Sequence, residues 1–146
     1  MEDQRIDLKA ATPEAYRAMA AFDRSIELDS ALRELVKIRA SQLNGCAYCI
    51  ALHTRDARKA GESEQRLYAL AAWRESPLFS ERERAALELT DTITRIGDGG
   101  VSDEVYGRAA SEFSAAELAN LIFAITAINA WNRIAVTSGL VFADAP

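Results

Sequence analysis

The chain has 146 residues, 49% of them apolar and 27% charged, a balance suited to an ordinary globular domain with a substantial core. Seventeen Lys and Arg against 22 Asp and Glu leave a net charge of −5 with the signs interspersed, which argues against a nucleic-acid-binding face. The opening MEDQRIDLKA is too polar for a secretory leader and the most apolar run, residues 121–131, is too short to span a bilayer, so a cytoplasmic protein with no membrane partner is expected.

Helix punctuation recurs along the chain and nothing reads as a strand. Thr12 stands as a cap before Pro13 in the favoured first-turn position. Asp29 or Ser30 opens the helix SALRELVKIRASQLN, and Asn44-Gly45 stops it. CAYCIALHTRDARKAG reads as a helix from near Cys46 to Lys59 with Gly61 just beyond its end, and SEQRLYALAAWRES as another, halted before Pro77. Ser80 and Glu83 form a capping box, after which Ala86, Leu89, Ile93 and Ile96 fall on one face. SDEVYGRAASEF is a shorter amphipathic piece, and a second box, Ser114 with Glu117, opens a helix that runs to near Gly139. The sum is an all-α bundle of about six to seven helices in a single domain spanning 1–146. Residues 118–131 are apolar on nearly every side, so the last helix is either the centre of the bundle or part of a subunit interface. Asn132 and Arg133 within it need buried partners and are expected to hold helices or subunits together.

Both cysteines and the only histidine lie within eight consecutive positions, Cys46 to His53. Helix neighbours are three and four residues apart, so Cys46 meets Cys49 and Cys49 meets His53, whereas Cys46 and His53 stand roughly 10 Å apart. His53 therefore serves Cys49. A helix N-terminus favours thiolate over thiol, and a pair at this spacing can close into a disulfide and reopen, which makes a redox unit. A structural zinc site, a static disulfide and inert buried thiols are the alternatives; zinc would need about four ligands. On the preceding helix Leu32, Leu35, Val36 and Leu43 share one face and Arg33, Lys37 and Asn44 another, with Glu34 between them beside Ile38 and Ser41. Glu34 either pairs with Lys37 at the surface or is carried by the Asn44-Gly45 turn to His53, where it would orient the imidazole or accept its proton.

Glu34, eleven intervening residues, Cys46-Ala47-Tyr48-Cys49, three more and His53 together resemble the alkylhydroperoxidase AhpD-like, carboxymuconolactone decarboxylase-like family. The likeness continues through SERERAALELTDTIT and FSAAELANLIFAITAINAWNRIAV and covers about residues 30–138. It implies an AhpD-like helical fold in a homo-oligomer, a trimer or hexamer, and reduction of alkyl hydroperoxides or thiol–disulfide exchange without a bound cofactor or metal. It also implies roles: Cys49 peroxidatic, Cys46 resolving, Glu34 and His53 a proton relay, and an external dithiol, lipoyl-type in the prototype system, as electron donor. Tyr48 stands where the peroxidase prototype has a histidine. A phenol is a poor base at neutral pH, so Tyr48 either donates a hydrogen bond or packs at the pocket wall. Two rival functions remain at this stage: the family's lactone decarboxylase branch, which does not depend on a cysteine pair, and a non-enzymatic redox-sensing oligomer.

Overall fold

The computed structural model describes residues 4–143, and among them there are eight α-helices, two short 3₁₀ segments and no strand. The helices are α1 (Leu8–Ala11), α2 (Pro13–Ser25), α3 (Ser30–Asn44), α4 (Ala47–Lys59), α5 (Glu64–Ala69), α6 (Glu81–Thr94), α7 (Asp103–Glu112) and α8 (Ala115–Ser138). That is one more than the sequence suggested, because a single helical turn, α1, precedes Pro13. Asp7 caps it by accepting from the Ala10 N–H. Thr12 does not cap α2; its hydroxyl donates back to the Leu8 carbonyl instead.

Most local signals hold. Asp29, rather than Ser30, caps α3, both capping boxes form, and Gly45 closes α3 with φ +66°, a left-handed conformation that glycine adopts without a Cβ penalty. Two further expectations fail. The helix expected over 63–76 breaks: α5 ends at Ala69 and passes into a 3₁₀ segment, Leu70–Glu75, kinked at Ala72. Through that break Trp73 turns inward, and its Nε1–H donates to Asp91 Oδ2 at 3.2 Å, where Arg39 also binds the carboxylate through two nitrogens at 2.7 and 3.0 Å. Ile96 leaves the face of α6 altogether, because α6 ends at Thr94 and Ile96 lies exposed in the second 3₁₀ segment, Ile96–Asp98.

Central to the bundle is α3, packed on α4, α6 and α8. Leu32 and Val36 join Ala86 and Leu89 of α6, Ala109 of α7 and Leu121 and Ile125 of α8 in one apolar cluster. Its other side, Leu35 and Ile38, packs with Ala57 of α4, Leu70, Trp73 and Leu87. The final helix buries nine of its residues against α2, α3, α4, α6 and α7, which explains its apolar composition largely within one chain, although Phe123 and Val136 remain exposed. Asn132 is buried as expected, but Arg133 is exposed and bonds only to Asn129, one turn earlier. No helix among the described residues is long and apolar enough to cross a membrane.

Candidate functional site

The site is built on the turn between α3 and α4. After Gly45 reverses the chain, the Cys46 N–H donates to the Ser41 carbonyl at 2.9 Å, and Cys46, in extended backbone, becomes the N-cap of α4. Its Sγ accepts the Cys49 N–H at 3.3 Å, so one otherwise unpaired donor of the helix N-terminus is satisfied by sulfur. The helix thus begins beside Cys46 as expected, and the sulfur that takes the amide is that of Cys46. The two cysteines are joined as a disulfide with Cα atoms 5.4 Å apart. Both are buried, packed on Ala135 of α8 with Tyr48 and Leu140 alongside.

One turn beyond Cys49, His53 meets α3. Its Nδ1 lies 2.9 Å from Glu34 Oε2, and because a carboxylate only accepts, Nδ1–H donates and Nε2 is the nitrogen left without that partner. Their side chains are 12% and 17% exposed, so the bond is shielded from water. Of the two fates open to Glu34, the structure selects the long-range one. Lys37 does not pair with Glu34; it is buried and donates to Asp23 Oδ2 of α2 at 3.4 Å.

Cys49 and His53 line one cleft of about 220 Å³, under the aromatic side chains of Tyr16, Tyr48 and Trp131. Cys46 does not line it. Tyr16 meets Trp131 edge-on at 5.6 Å between ring centroids, and Tyr48 meets Phe142 in the same manner at 5.9 Å. Tyr48 is therefore at the pocket wall, with no side-chain hydrogen bond to a described residue. Larger depressions beside Trp73 and on the outer side of α4 are open and charged, and hold neither cysteine nor histidine. Among the described residues no three His, Cys, Asp or Glu side chains converge as a metal site requires.

Sequence reading missed Asp23 and Tyr16. Both lie on α2, seven residues apart and so on one face, and with Met19 and Ala20 between them they form its half-buried stripe; that i, i+3, i+4, i+7 spacing is the available signal, although nothing in it marks Asp23 as lining a site. Of the polar chain that ties α8 to α3, sequence reading pointed to Asn132 and missed the partners. Asn44 Nδ2 donates to Asn132 Oδ1 and to Asn129 Oδ1, both at 2.9 Å; Asn132 Nδ2 donates to Ser41 Oγ at 2.9 Å, and Ser41 donates to the Lys37 carbonyl.

Fold and site together define a small all-helical protein in which one cleft is lined by the second cysteine of a Cys-x-x-Cys pair and by a histidine that a glutamate holds from the preceding helix. The chain belongs to the carboxymuconolactone decarboxylase family, AhpD-like proteins included; that family's sequence pattern matches residues 13–92. The uncharacterized protein YdfG of Bacillus subtilis (strain 168) is 42% identical over 139 residues, which are 93% of this chain and 95% of that one. A crystal structure of a protein of unknown function from Agrobacterium tumefaciens, provisionally assigned as the antioxidant defence protein AhpD, superposes with a TM-score of 0.94 at 38% identity. It covers 98% of this chain and 100% of its own. An uncharacterized peroxidase-related protein from Ralstonia eutropha JMP134, described as an alkylhydroperoxidase AhpD core, has a TM-score of 0.81 over 93% of this chain and 74% of its own. At 20% identity it bears on the fold alone.

Proposed function

We propose that the protein is a cysteine-based oxidoreductase that reduces small organic hydroperoxides, or exchanges disulfides, through Cys49 and Cys46. The observation that carries this reading is the division between the two sulfurs: Cys49 lines the cleft with His53, while Cys46 lies behind it and caps α4. Reduced Cys49, as thiolate, attacks the distal oxygen of the hydroperoxide; an S–O bond forms, the O–O bond breaks, and the departing alkoxide takes a proton to leave as alcohol. Cys46 then attacks the Cys49 sulfur of the sulfenic acid and expels hydroxide, which leaves as water once protonated, and the disulfide closes.

An external dithiol, lipoyl-type or similar, restores the pair by attack on the Cys49 sulfur exposed to the cleft. Cys46 then leaves as a thiolate that the Cys49 N–H and the N-terminus of α4 stabilise. The dithiol's second thiol displaces Cys49 and carries the disulfide away. His53, held by Glu34 with Nε2 free, takes the thiol proton and returns it to the leaving oxygen. Tyr48 shapes the wall rather than moving protons. The setting we propose is the reducing cytoplasm, and the assembly a homo-oligomer, trimeric or hexameric, using the exposed Phe123 and Val136 of α8. A lactone decarboxylase would leave the disulfide without a part in the chemistry.

The test is a pair of substitutions. Cys49→Ser is expected to abolish peroxide consumption, and Cys46→Ser to stop after one turnover with a sulfenic acid that a dimedone-type probe traps. Full turnover by both variants with an external dithiol would overturn the proposal.

A further inference from the structure

One wall of the cleft carries a charge that the redox cycle does not use. Asp23 of α2 lines the cleft with Cys49 and His53, and its carboxylate accepts a hydrogen bond from Lys37 of α3. The two partners are not equally presented. The Lys37 side chain is 9% exposed and that of Asp23 25%, and only Asp23 lines the cleft, so an entering molecule meets the carboxylate with the ammonium behind it. Glu34 does not compete for that role, since it is bound to His53 and does not line the cleft. A buried ammonium is costly without a partner, and the pair therefore holds Asp23 in place. Around it stand Tyr48 and Trp131, aromatic rings whose faces attract cations, and Tyr16, whose ring already has Lys9 Nζ 6.0 Å from its centroid. The cleft, about 220 Å³, has room for roughly seven water volumes, the size of a small organic molecule.

We infer that Asp23 sets the charge preference of this cleft: small cationic or neutral disulfides, thiols and hydroperoxides reach Cys49 ahead of anionic ones, with Lys37 as the positioning residue. The inference rests on the redox reading of Cys49 and adds a substrate class to it. For a disulfide probe, the Cys49 thiolate attacks one sulfur of RS–SR, forms Cys49–S–SR and releases RS⁻. Cys46 thiolate then attacks the Cys49 sulfur and releases the second RS⁻. Reduced protein and one RSSR thus become oxidised protein and two RSH, the protons coming from the two cysteine thiols.

The experiment reacts fully reduced protein, at one fixed pH, with three disulfides of similar size: cystamine, 2-hydroxyethyl disulfide and dithiodiglycolate. Each second-order rate constant is divided by that for the neutral probe in the same variant. Comparing variants then cancels the probes' intrinsic reactivities. Asp23→Asn is expected to lower the cationic-to-anionic ratio about tenfold, as for a carboxylate roughly 7 Å from the probe's charge across a water-filled cleft with an effective dielectric of ~80; the Lys37 ammonium a few ångströms further offsets the field equally in both proteins and drops out of that comparison. Lys37→Met, which removes the offset, is expected to raise the ratio, and Asp23→Glu to keep it within about threefold of wild type. The opposite signs separate a field effect from loosened packing. A ratio unmoved by both Asp23→Asn and Lys37→Met, or a fall shared equally by all three probes, overturns the inference while leaving the redox reading intact. Reduced wild-type protein inert to every probe would overturn the redox reading, and the inference with it.

Discussion

Glu34→Gln isolates what the carboxylate contributes to the imidazole. The amide keeps the shape and an oxygen for Nδ1–H, but it loses the charge that stabilises His53 when it holds a proton. A hydrogen bond to a charged group is worth about 1.5–3 kcal/mol, and neither side chain here is more than 17% exposed, so solvent screening removes little of it. Taking about 2 kcal/mol as the charge-dependent part, at ~1.36 kcal/mol per decade, single-turnover oxidation of the reduced protein by a hydroperoxide should slow about 30-fold. Rapid-quench counting of free thiols measures it. His53→Ala removes the base and should cost about 100-fold or more. If Glu34 acts only through His53, adding Glu34→Gln to His53→Ala costs nothing further. A Glu34→Gln rate within twofold of wild type, or two losses that multiply in the double variant, would refute the relay.

Two predictions concern stability. Asn132 accepts from Asn44 and donates to Ser41 at 1% exposure, so Asn132→Ala cuts the polar bridge from α8 to α3, taking the donor from buried Ser41 and one of two acceptors from half-buried Asn44. It should cost about 2–4 kcal/mol in urea unfolding, and a loss under about 0.5 kcal/mol would mean that the network is incidental. The second is acid sensitivity. Arg82, with the amide and hydroxyl of Ser114, lowers Glu117 to about 2, and Glu83 is also lowered, because its bonds to Arg66 and Ser80 outweigh the burial that pushes it up. Groups depressed in the folded state give stability that is present above their unfolded values, near 4.3, and lost as pH falls through the folded ones. The urea midpoint should therefore decline steadily from about pH 5 to pH 2, and Arg82→Met should flatten part of that decline.

What was legible in the sequence was local. Capping boxes at Ser80 and Ser114, the stop at Asn44-Gly45 and the three- and four-residue spacing of Cys46, Cys49 and His53 are rules of a single helix, and the structure obeys them. The break at Ala72 was not legible, because what draws Trp73 inward is Asp91, on a different helix. Ile96 had the right spacing for α6, but the helix had already ended. Asp23 was invisible for a similar reason: its partner is 14 residues away across a turn, and α2 looks like any surface helix.

The same reasoning explains why α3 was the hardest helix to read and is the one that organises the site. Glu34, Lys37, Ser41 and Asn44 recur at intervals of three, four and three, so they form one polar stripe along a helix whose other sides, Leu32 and Val36, Leu35 and Ile38, are core. On an isolated helix such a stripe reads as a solvated face. Here each member faces another element instead: Glu34 binds His53 of α4, Lys37 binds Asp23 of α2, and Ser41 and Asn44 bind Asn132 of α8. Buried polar groups are tolerable only when partnered, so the stripe acts as a set of registers that lock α2, α4 and α8 at fixed positions along α3. The cleft lies where those three helices meet. The polar residues that look most out of place in the core are thus the ones that place Cys49, His53 and Asp23 around a common volume.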